Sequence, residues 1–324
     1  MNGHKMLAYV TAVGMIVGAA STPINQPAPA DVTLLSADGP LSGSDTAIIL
    51  GGTTEPTPST AFAQTAEALY LHPLGFDDGA TASTVCDMNG TDPCSAPLQV
   101  LTTPELIQQG PSSLTGASDV VLAVENEFNA DPGAFSAEHP LTLFGYSQSA
   151  TAESIAMSRL AEAGIPSADL HFVFIGDPSA PGGIWPNLAA DMDATLGPST
   201  MNSLLNLSGA DGVLGDVTPD DLYPATIYTL AGDGVADFQE DFTAGGLLDP
   251  IVHLFTTHVE YLGLTPAQVA DATTSTNADL TYVDISDHIN NFDAWVGAIE
   301  HGVANSGLFQ SIFESLQLFL FNTF

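Results

Sequence analysis

Basic side chains are almost absent from this chain of 324 residues, which has 2 Lys and Arg together against 38 Asp and Glu and a formal net charge of −36. The acidic share is ordinary, so the charge reflects missing bases rather than added acids. A surface without cations neither neutralises phosphates nor attracts anionic lipid by charge. The composition therefore excludes nucleic acids and polyanions as partners, and neutral or lipid-like substrates stay open.

Cysteine is also scarce, with 2 residues in the chain. Cys86 and Cys94 enclose a segment rich in turn-forming residues, Asp-Met-Asn-Gly-Thr-Asp-Pro. A loop this short can close as a local disulfide in an oxidising compartment. A zinc site needs further Cys or His ligands nearby, and none are there. The pattern predicts a disulfide on a surface loop and no metal.

The apolar run near the amino end is shorter than the roughly 20 residues that a membrane-spanning helix needs. It covers Leu7–Ala20, follows Lys5 and precedes Ala28–Ala30, an A-x-A cleavage pattern. We expect residues 1–30 to be a Sec-type signal peptide or, if uncleaved, an anchor, and the protein to be secreted or held in the cell envelope. Removal of the leader would leave Arg159 as the only base.

The rest of the chain reads as one α/β domain over residues 45–306, after a linker at 31–44. With 45 % hydrophobic residues the chain can bury a large core. Strand-like runs alternate with amphipathic helical patterns, which predicts a mostly parallel sheet with helices on both faces. The predicted strands are Thr46–Leu50, Leu141–Phe144, His171–Ile175 and Ala225–Ala231, and the predicted helices are Ser113–Asn129 and Gln148–Ala163.

Two segments do not fit this regular alternation. Asn187–Tyr223 is irregular and reads as an insertion or a lid over the sheet edge. Residues 307–324 are apolar at helical spacing and almost all round in the last turns. They read either as a final helix docked on the core or as a tail that makes peripheral contact with lipid.

A candidate nucleophile lies at Ser147. Gly145–Ser149 reads Gly-Tyr-Ser-Gln-Ser, which is the G-x-S-x-G nucleophile elbow with Ser149 in place of the last glycine. In that elbow a tight strand-to-helix turn lifts the serine above the sheet edge and points the amino end of the helix at it. The motif has the predicted strand before it and the predicted helix after it, as the mechanism requires. The alternative is a turn serine without chemistry.

A nucleophilic serine needs a base and an acid that orients the base, and in α/β-hydrolases the chain order is Ser, then Asp or Glu, then His. Asp233 follows the predicted strand Ala225–Ala231, where the acid of such a triad belongs, and Asp237 is the second candidate. Either aspartate could instead be a turn residue or a helix cap.

Histidines supply the candidate bases, although most histidines in proteins have structural or surface roles. His171 precedes the candidate acids, so its chain order is wrong. The others follow them, and spacing alone leaves the base open among His253, His258, His288 and His301.

An oxyanion hole would use the backbone N–H of Gln148 and one from the loop after an early strand. Gly51, Gly52 and Thr53 follow the first predicted strand, and glycines let the backbone approach a substrate. We expect Thr53 to supply the second donor. A simple glycine turn is the alternative.

Five blocks together resemble the PE-PPE domain, a serine α/β-hydrolase module of mycobacteria and their relatives. They follow in family order along the chain: Leu50–Pro58, Gly145–Ser149, Gly176–Ile184, Asp233–Phe238 and His258–Tyr261. The resemblance implies an α/β-hydrolase fold and a cutinase-like esterase or acyltransferase acting on acyl esters or lipids without a cofactor. It implies Ser147 as nucleophile, His258 as base and Asp233 as the favoured acid.

We expect a leader or anchor where family members carry a helical PE or PPE module, and the chain thereby resembles a stand-alone exported form. We expect an exported serine esterase or lipase that works through an acyl-enzyme. An acyltransferase that moves acyl chains between glycolipids would use the same site. A non-catalytic cell-surface binding protein on the same fold is the remaining alternative.

Overall fold

The structure is a computed structural model that describes residues 39–79, 82–188, 209–246, 248–286 and 292–300. The predicted signal peptide, most of the predicted linker and the apolar carboxyl-terminal stretch lie outside these residues. Residues 189–208, the middle of the predicted insertion, also lie outside them.

Eight strands of the described residues form one sheet. In chain order they are β1 Ala47–Ile49, β2 Val85–Asp87, β3 Leu98–Val100, β4 Leu141–Tyr146, β5 Leu170–Ile175, β6 Ala225–Leu230, β7 Thr273–Asn277 and β8 Leu280–Ile285. Their order across the sheet is β2-β3-β1-β4-β5-β6-β8-β7. All neighbours are parallel except β7 and β8, which form an antiparallel pair at one edge.

The helices of the described residues connect these strands. They are α1 Thr60–Ala66, α2 Gln109–Ala130, α3 Gln148–Ala163, α4 Phe238–Gly245, α5 Leu248–Phe255, α6 Pro266–Ala270 and α7 Phe292–Glu300. A π-helical turn covers Glu67–Leu71, and 3₁₀ turns cover His72–Leu74, Phe76–Gly79, Ser167–Asp169, Thr257–Val259 and Tyr261–Gly263. In this part of the chain no helix has the length and hydropathy needed to cross a membrane.

Side chains of successive strand residues alternate between two hydrophobic cores, one on each face of the sheet. On one face, Phe144 and Tyr146 of β4 pack with Phe62 of α1 and with Tyr261. On the other face, Leu143 belongs to a core that includes buried residues of α2 and α3. The structure thereby confirms the predicted mostly parallel sheet with helices on both faces.

Helix α3 begins and ends at the residues predicted for it, Gln148 and Ala163. Gly164 ends it in a left-handed conformation at φ 83°, and its N–H donates to the Ala161 carbonyl. Helix α2 instead starts four residues before the predicted Ser113, at Gln109. Pro111 is tolerated in that first turn, because N–H groups there have no partner within the helix.

Four strands were not among those predicted from the sequence. Strands β2 and β3 have 3 residues each, too few for a visible alternation. Strand β7 reads Thr-Thr-Ser-Thr-Asn and is exposed throughout, so it lacks the hydrophobic face on which the prediction relied. Strand β8, Leu280–Ile285, pairs with β6 in the interior of the sheet.

Cys86 of β2 and Cys94 form a disulfide with their Cα atoms 6.3 Å apart. The Cys94 N–H donates to the Gln99 side-chain oxygen of β3 at 2.7 Å. The crosslink therefore fixes the loop between the edge strand β2 and its neighbour β3.

Replacing both cysteines, Cys86→Ala with Cys94→Ala, should lower the free energy of unfolding by about 2–3 kcal/mol, because the open loop gains entropy in the unfolded chain. Thermal unfolding without reductant measures this. The wild type in reductant should then match the variant, and reductant should leave the variant unchanged. An unshifted transition in the double variant would contradict this role.

Candidate active site

Ser147 occupies a strained turn between β4 and α3. Its backbone has φ 56° and ψ −114°, a conformation that residues with a side chain rarely adopt. Gly145 allows the turn, since a Cβ there would lie 2.9 Å from backbone atoms of Ala150. Ser149, where the motif has glycine, accepts a hydrogen bond from the Tyr146 N–H at 2.8 Å. The local geometry is that of a nucleophile elbow.

The structure brings Ser147, His258 and Asp233 together in one line of hydrogen bonds. The His258 Nε2 lies 2.8 Å from the Ser147 Oγ. On the other side of the ring, Nδ1 lies 2.9 Å from both carboxylate oxygens of Asp233. His258 comes from the 3₁₀ turn Thr257–Val259, and Asp233 from the turn that follows β6. These are the contacts that an acyl-transfer triad requires.

Asp233 is fully buried, yet it is the acid of the site that stays ionised. Burial raises its pKa, but the charge of His258 and hydrogen bonds from His258, Tyr261 and the Val235 N–H outweigh burial, so the pKa lies below its usual value. The ionised carboxylate accepts the Nδ1–H of His258. Nε2 is then left to accept the proton of the Ser147 hydroxyl.

The other candidates for the acid and the base lie elsewhere. Asp237 accepts a hydrogen bond from the Gly232 N–H at 2.9 Å, so it closes its own turn. His253 pairs with Asp241 at 2.8 Å. His171 is buried beside Thr226, 3.0 Å away, and burial lowers its pKa to about 4. The two remaining candidates, His288 and His301, lie outside the described residues.

The candidate oxyanion loop lies beside the elbow because β1 pairs with β4 in parallel. Gly52 follows β1, and a Cβ on it would lie 3.1 Å from the Tyr146 ring. Thr53 accepts a hydrogen bond from the Gln109 side chain at 3.1 Å, and the Gln148 side chain donates to the Leu106 carbonyl at 2.9 Å. Of the two predicted donors, Gln148 is thus the first residue of α3, directly after Ser147, and Thr53 lies in a loop bonded to the first residue of α2.

A group of buried acids lies directly under the elbow and was not anticipated from the sequence. Glu153 of α3 is fully buried, and neither of its carboxyl oxygens has a hydrogen-bond partner among the described residues. Burial, followed by the charges of Asp177 and Glu105, raises its pKa well above the usual value. Burial likewise raises the pKa of Asp177 to about 7 and that of Glu105 to about 8.

Two tyrosines that contact His258 and Asp233 were also not singled out from the sequence. The Tyr146 hydroxyl donates to the His258 carbonyl at 2.8 Å, and its ring stacks on the imidazole at 5.7 Å between centroids. The Tyr261 hydroxyl donates to Asp233. The sequence indicated them only by position, because Tyr146 directly precedes Ser147 and Tyr261 lies three residues after His258.

The family model of the PE-PPE domain matches residues 94–284, which is more than half of the chain. The chain belongs to the PE-PPE domain family. This assignment agrees with the parallel sheet and with the resemblance noted in the five sequence blocks.

Two relatives from Mycobacterium tuberculosis extend the comparison. The chain is 31 % identical over 234 residues to an uncharacterized PPE family protein, PPE28, in a match that covers 71 % of this chain and 31 % of PPE28. It is 30 % identical over 255 residues to the esterase PE16, covering 75 % of this chain and 42 % of PE16. The chain therefore spans less than half the length of either relative.

The buried acid Glu153 predicts how stability depends on pH. Its folded pKa lies above the unfolded value of 4.5, so the folded state keeps a proton that the unfolded chain releases. Its contribution to stability is complete below about pH 4.5 and declines as pH rises, by up to about 1.4 kcal/mol per pH unit. Glu153→Gln keeps the shape and cannot ionise. Chemical unfolding between pH 5 and 8 should therefore show a smaller loss of stability in this variant than in the wild type.

Glu162→Gln, on an exposed position of the same helix, is the matched control and should keep the wild-type pH dependence. Equal pH dependence in Glu153→Gln and the wild type would show that Glu153 does not hold its proton in the folded state.

Proposed function

We propose that this protein is an exported serine esterase or lipase that cleaves acyl esters through an acyl-enzyme on Ser147. The observation that carries the proposal is the unbroken series of hydrogen bonds from the Ser147 Oγ through His258 to Asp233, with distances of 2.8 and 2.9 Å. Serine at this kind of turn is a weak nucleophile unless an adjacent base takes its proton. The relationship to an esterase supports the same reaction class.

The reaction begins when the Ser147 oxygen attacks the ester carbonyl and its proton passes to the His258 Nε2. Asp233 stabilises the imidazolium that forms and keeps the ring in position. Backbone N–H groups at Gln148 and Thr53 hold the oxyanion, each worth about 10²–10³ in rate. The tetrahedral intermediate collapses as the ester oxygen leaves with the proton from His258. Water, deprotonated by His258, then attacks the acyl-enzyme, and the second tetrahedral intermediate collapses as His258 returns that proton to the Ser147 oxygen and the carboxylic acid leaves.

Exposed apolar side chains on segments next to Gln148 and between Asp233 and His258 support a hydrophobic acyl group as substrate. Leu106 and Ile107 are about half exposed, and the Leu106 carbonyl is bonded to the side chain of Gln148, next to the nucleophile. Helix α5 exposes Leu248 and Val252 in the connection between Asp233 and His258. We assign these side chains to contacts with the acyl chain. The scarcity of cations is compatible with a neutral ester.

Export rests on two supports. The amino-terminal pattern is that of a Sec-type leader, which lies outside the described residues. The Cys86–Cys94 disulfide suits an oxidising compartment outside the cytoplasm. Both features support a location in the cell envelope or outside the cell.

The first test is labelling with a fluorophosphonate, which reacts only with an activated serine. The full chain should be labelled and should hydrolyse p-nitrophenyl esters, and Ser147→Ala should abolish both. Folded wild-type protein that takes no label would refute the proposal and favour a non-catalytic binding protein.

Replacing each candidate acid with its amide in turn shows which of the two orients His258. Asp233→Asn should lower kcat by about 10⁴, because the amide favours the wrong tautomer of His258. Asp237→Asn, four residues away, should change kcat by less than about tenfold, since Asp237 closes a turn and does not contact the histidine. Equal losses in the two variants would contradict the assignment of Asp233.

An acyltransferase is the second candidate, because an alcohol can replace water in the last step. Strong labelling of Ser147 with weak ester hydrolysis favours this alternative. Adding a sugar or glycolipid alcohol would then accelerate release of p-nitrophenol, and the acylated alcohol would appear as product. Unchanged release at high alcohol concentration would leave hydrolysis as the reaction.

A further inference from the structure

Tyr261 is fully buried, and its hydroxyl reaches the acid of the triad. The hydroxyl donates to the Asp233 Oδ2 at 2.7 Å and accepts a hydrogen bond from the Leu230 N–H at 2.9 Å. Its one proton is thereby directed at the carboxylate, since the backbone N–H occupies the acceptor side of the oxygen.

The two oxygens of Asp233 are held by different kinds of donor. Oδ1 accepts the backbone N–H groups of Val235 at 2.8 Å and Ala236 at 3.2 Å. Oδ2 accepts the hydroxyl of Tyr261, and His258 reaches both oxygens. The turn itself supplies the donors to Oδ1, whereas the donor to Oδ2 depends on a side chain. The orientation of the carboxylate plane therefore depends on Tyr261.

The ring of Tyr261 has little freedom to move. The Tyr70 hydroxyl donates to its carbonyl at 2.6 Å, and the ring meets that of His258 edge to face at 6.2 Å. A Cβ on Gly176 would lie 2.9 Å from ring atoms of both His258 and Tyr261. His258 and Tyr261 can therefore lie this close to the backbone only because Gly176 has no side chain.

We propose that Tyr261 is a positioning residue of the triad, which orients the Asp233 carboxylate and withdraws part of its negative charge through the hydrogen bond to Oδ2. This inference rests on the proposed function. No catalytic contact is assigned to Tyr261, because its hydroxyl touches Asp233 and not Ser147.

The proposal makes a directional prediction about pH. A carboxylate that loses a donor carries more charge and holds the protonated form of its histidine partner more firmly. Tyr261→Phe should therefore move the acidic limb of the kcat/KM profile to higher pH, by at least about half a unit. It should also lower kcat by about tenfold with little change in KM, as expected for a group that does not bind substrate.

Tyr228→Phe is the matched control. Tyr228 is a buried tyrosine in the same hydrophobic core, and among the described residues its hydroxyl makes one long contact of 3.5 Å, to the Tyr70 carbonyl. The Tyr228→Phe variant should keep the wild-type pH profile of kcat/KM. Equal pH profiles for Tyr261→Phe and Tyr228→Phe would overturn the proposal, even if both variants lose stability.

A proton NMR spectrum gives a second measurement that does not depend on turnover. At acidic pH the His258 Nδ1–H should resonate far downfield, and Tyr261→Phe should shift this signal where Tyr228→Phe does not. An unshifted signal in active Tyr261→Phe protein would refute the positioning role alone. Wild-type protein without Ser147 labelling would instead refute the proposed function.

Discussion

The hydrogen-bonded pair of Asp233 and His258 is the interaction on which the rest of the site depends. A buried carboxylate costs several kcal/mol unless it is paired, and this chain has almost no Lys or Arg to pair it with. Asp233 remains ionised because neutral donors and one histidine surround it. Glu153 shows the opposite case: it is equally buried, it has no partner among the described side chains, and its pKa is raised. The charge of His258, together with the donors around the carboxylate, thus keeps Asp233 ionised, and Glu153 has no such partner among the described residues.

The sheet order explains how residues far apart in sequence meet. Ser147 follows β4 and Asp233 follows β6, and β5 lies between these two strands. The carboxyl ends of parallel strands lie at one edge, with neighbouring strands about 4.8 Å apart, so the serine and the acid are separated by roughly two strand spacings. The imidazole of His258 bridges that gap above the end of β5. Gly176, the residue after β5, must be small, because a Cβ would lie 2.9 Å from the ring.

Local signals in the sequence were sufficient to predict the elements on either side of Ser147, the proposed nucleophile. Strand β4 is a buried apolar run, and α3 is bounded by Ser147 and Gly164, so both could be predicted with the elbow between them. The choice between Asp233 and Asp237 could not be made from the residues, since both follow the same strand and differ only in where their side chains point. The choice among the histidines had the same limit. The resemblance to the family favoured His258 and Asp233. In the structure His258 contacts Ser147 on one side of its ring and Asp233 on the other.

Contacts between distant segments explain what the sequence did not indicate. In the sequence Tyr261 looks like an ordinary core residue. Its proposed role depends on contact with Asp233, which lies in the turn after β6, 28 positions earlier in the chain. Glu153 looks like a surface residue of an amphipathic helix, yet it faces Gly145, with a carboxyl oxygen 3.0 Å from where a Cβ would lie. Sequence periodicity shows which face of a helix is buried but not which neighbours that face meets.

The scarcity of cations has a final consequence for the proposed chemistry. Arg159 bonds the Leu114 carbonyl and the Ser118 hydroxyl near the far end of α3, so it does not serve the elbow at the other end. The proposed oxyanion is then stabilised by backbone N–H groups and by the positive end of the helix dipole. These donors do not titrate. Loss of a proton from a cationic donor is therefore not expected to limit the proposed activity at high pH.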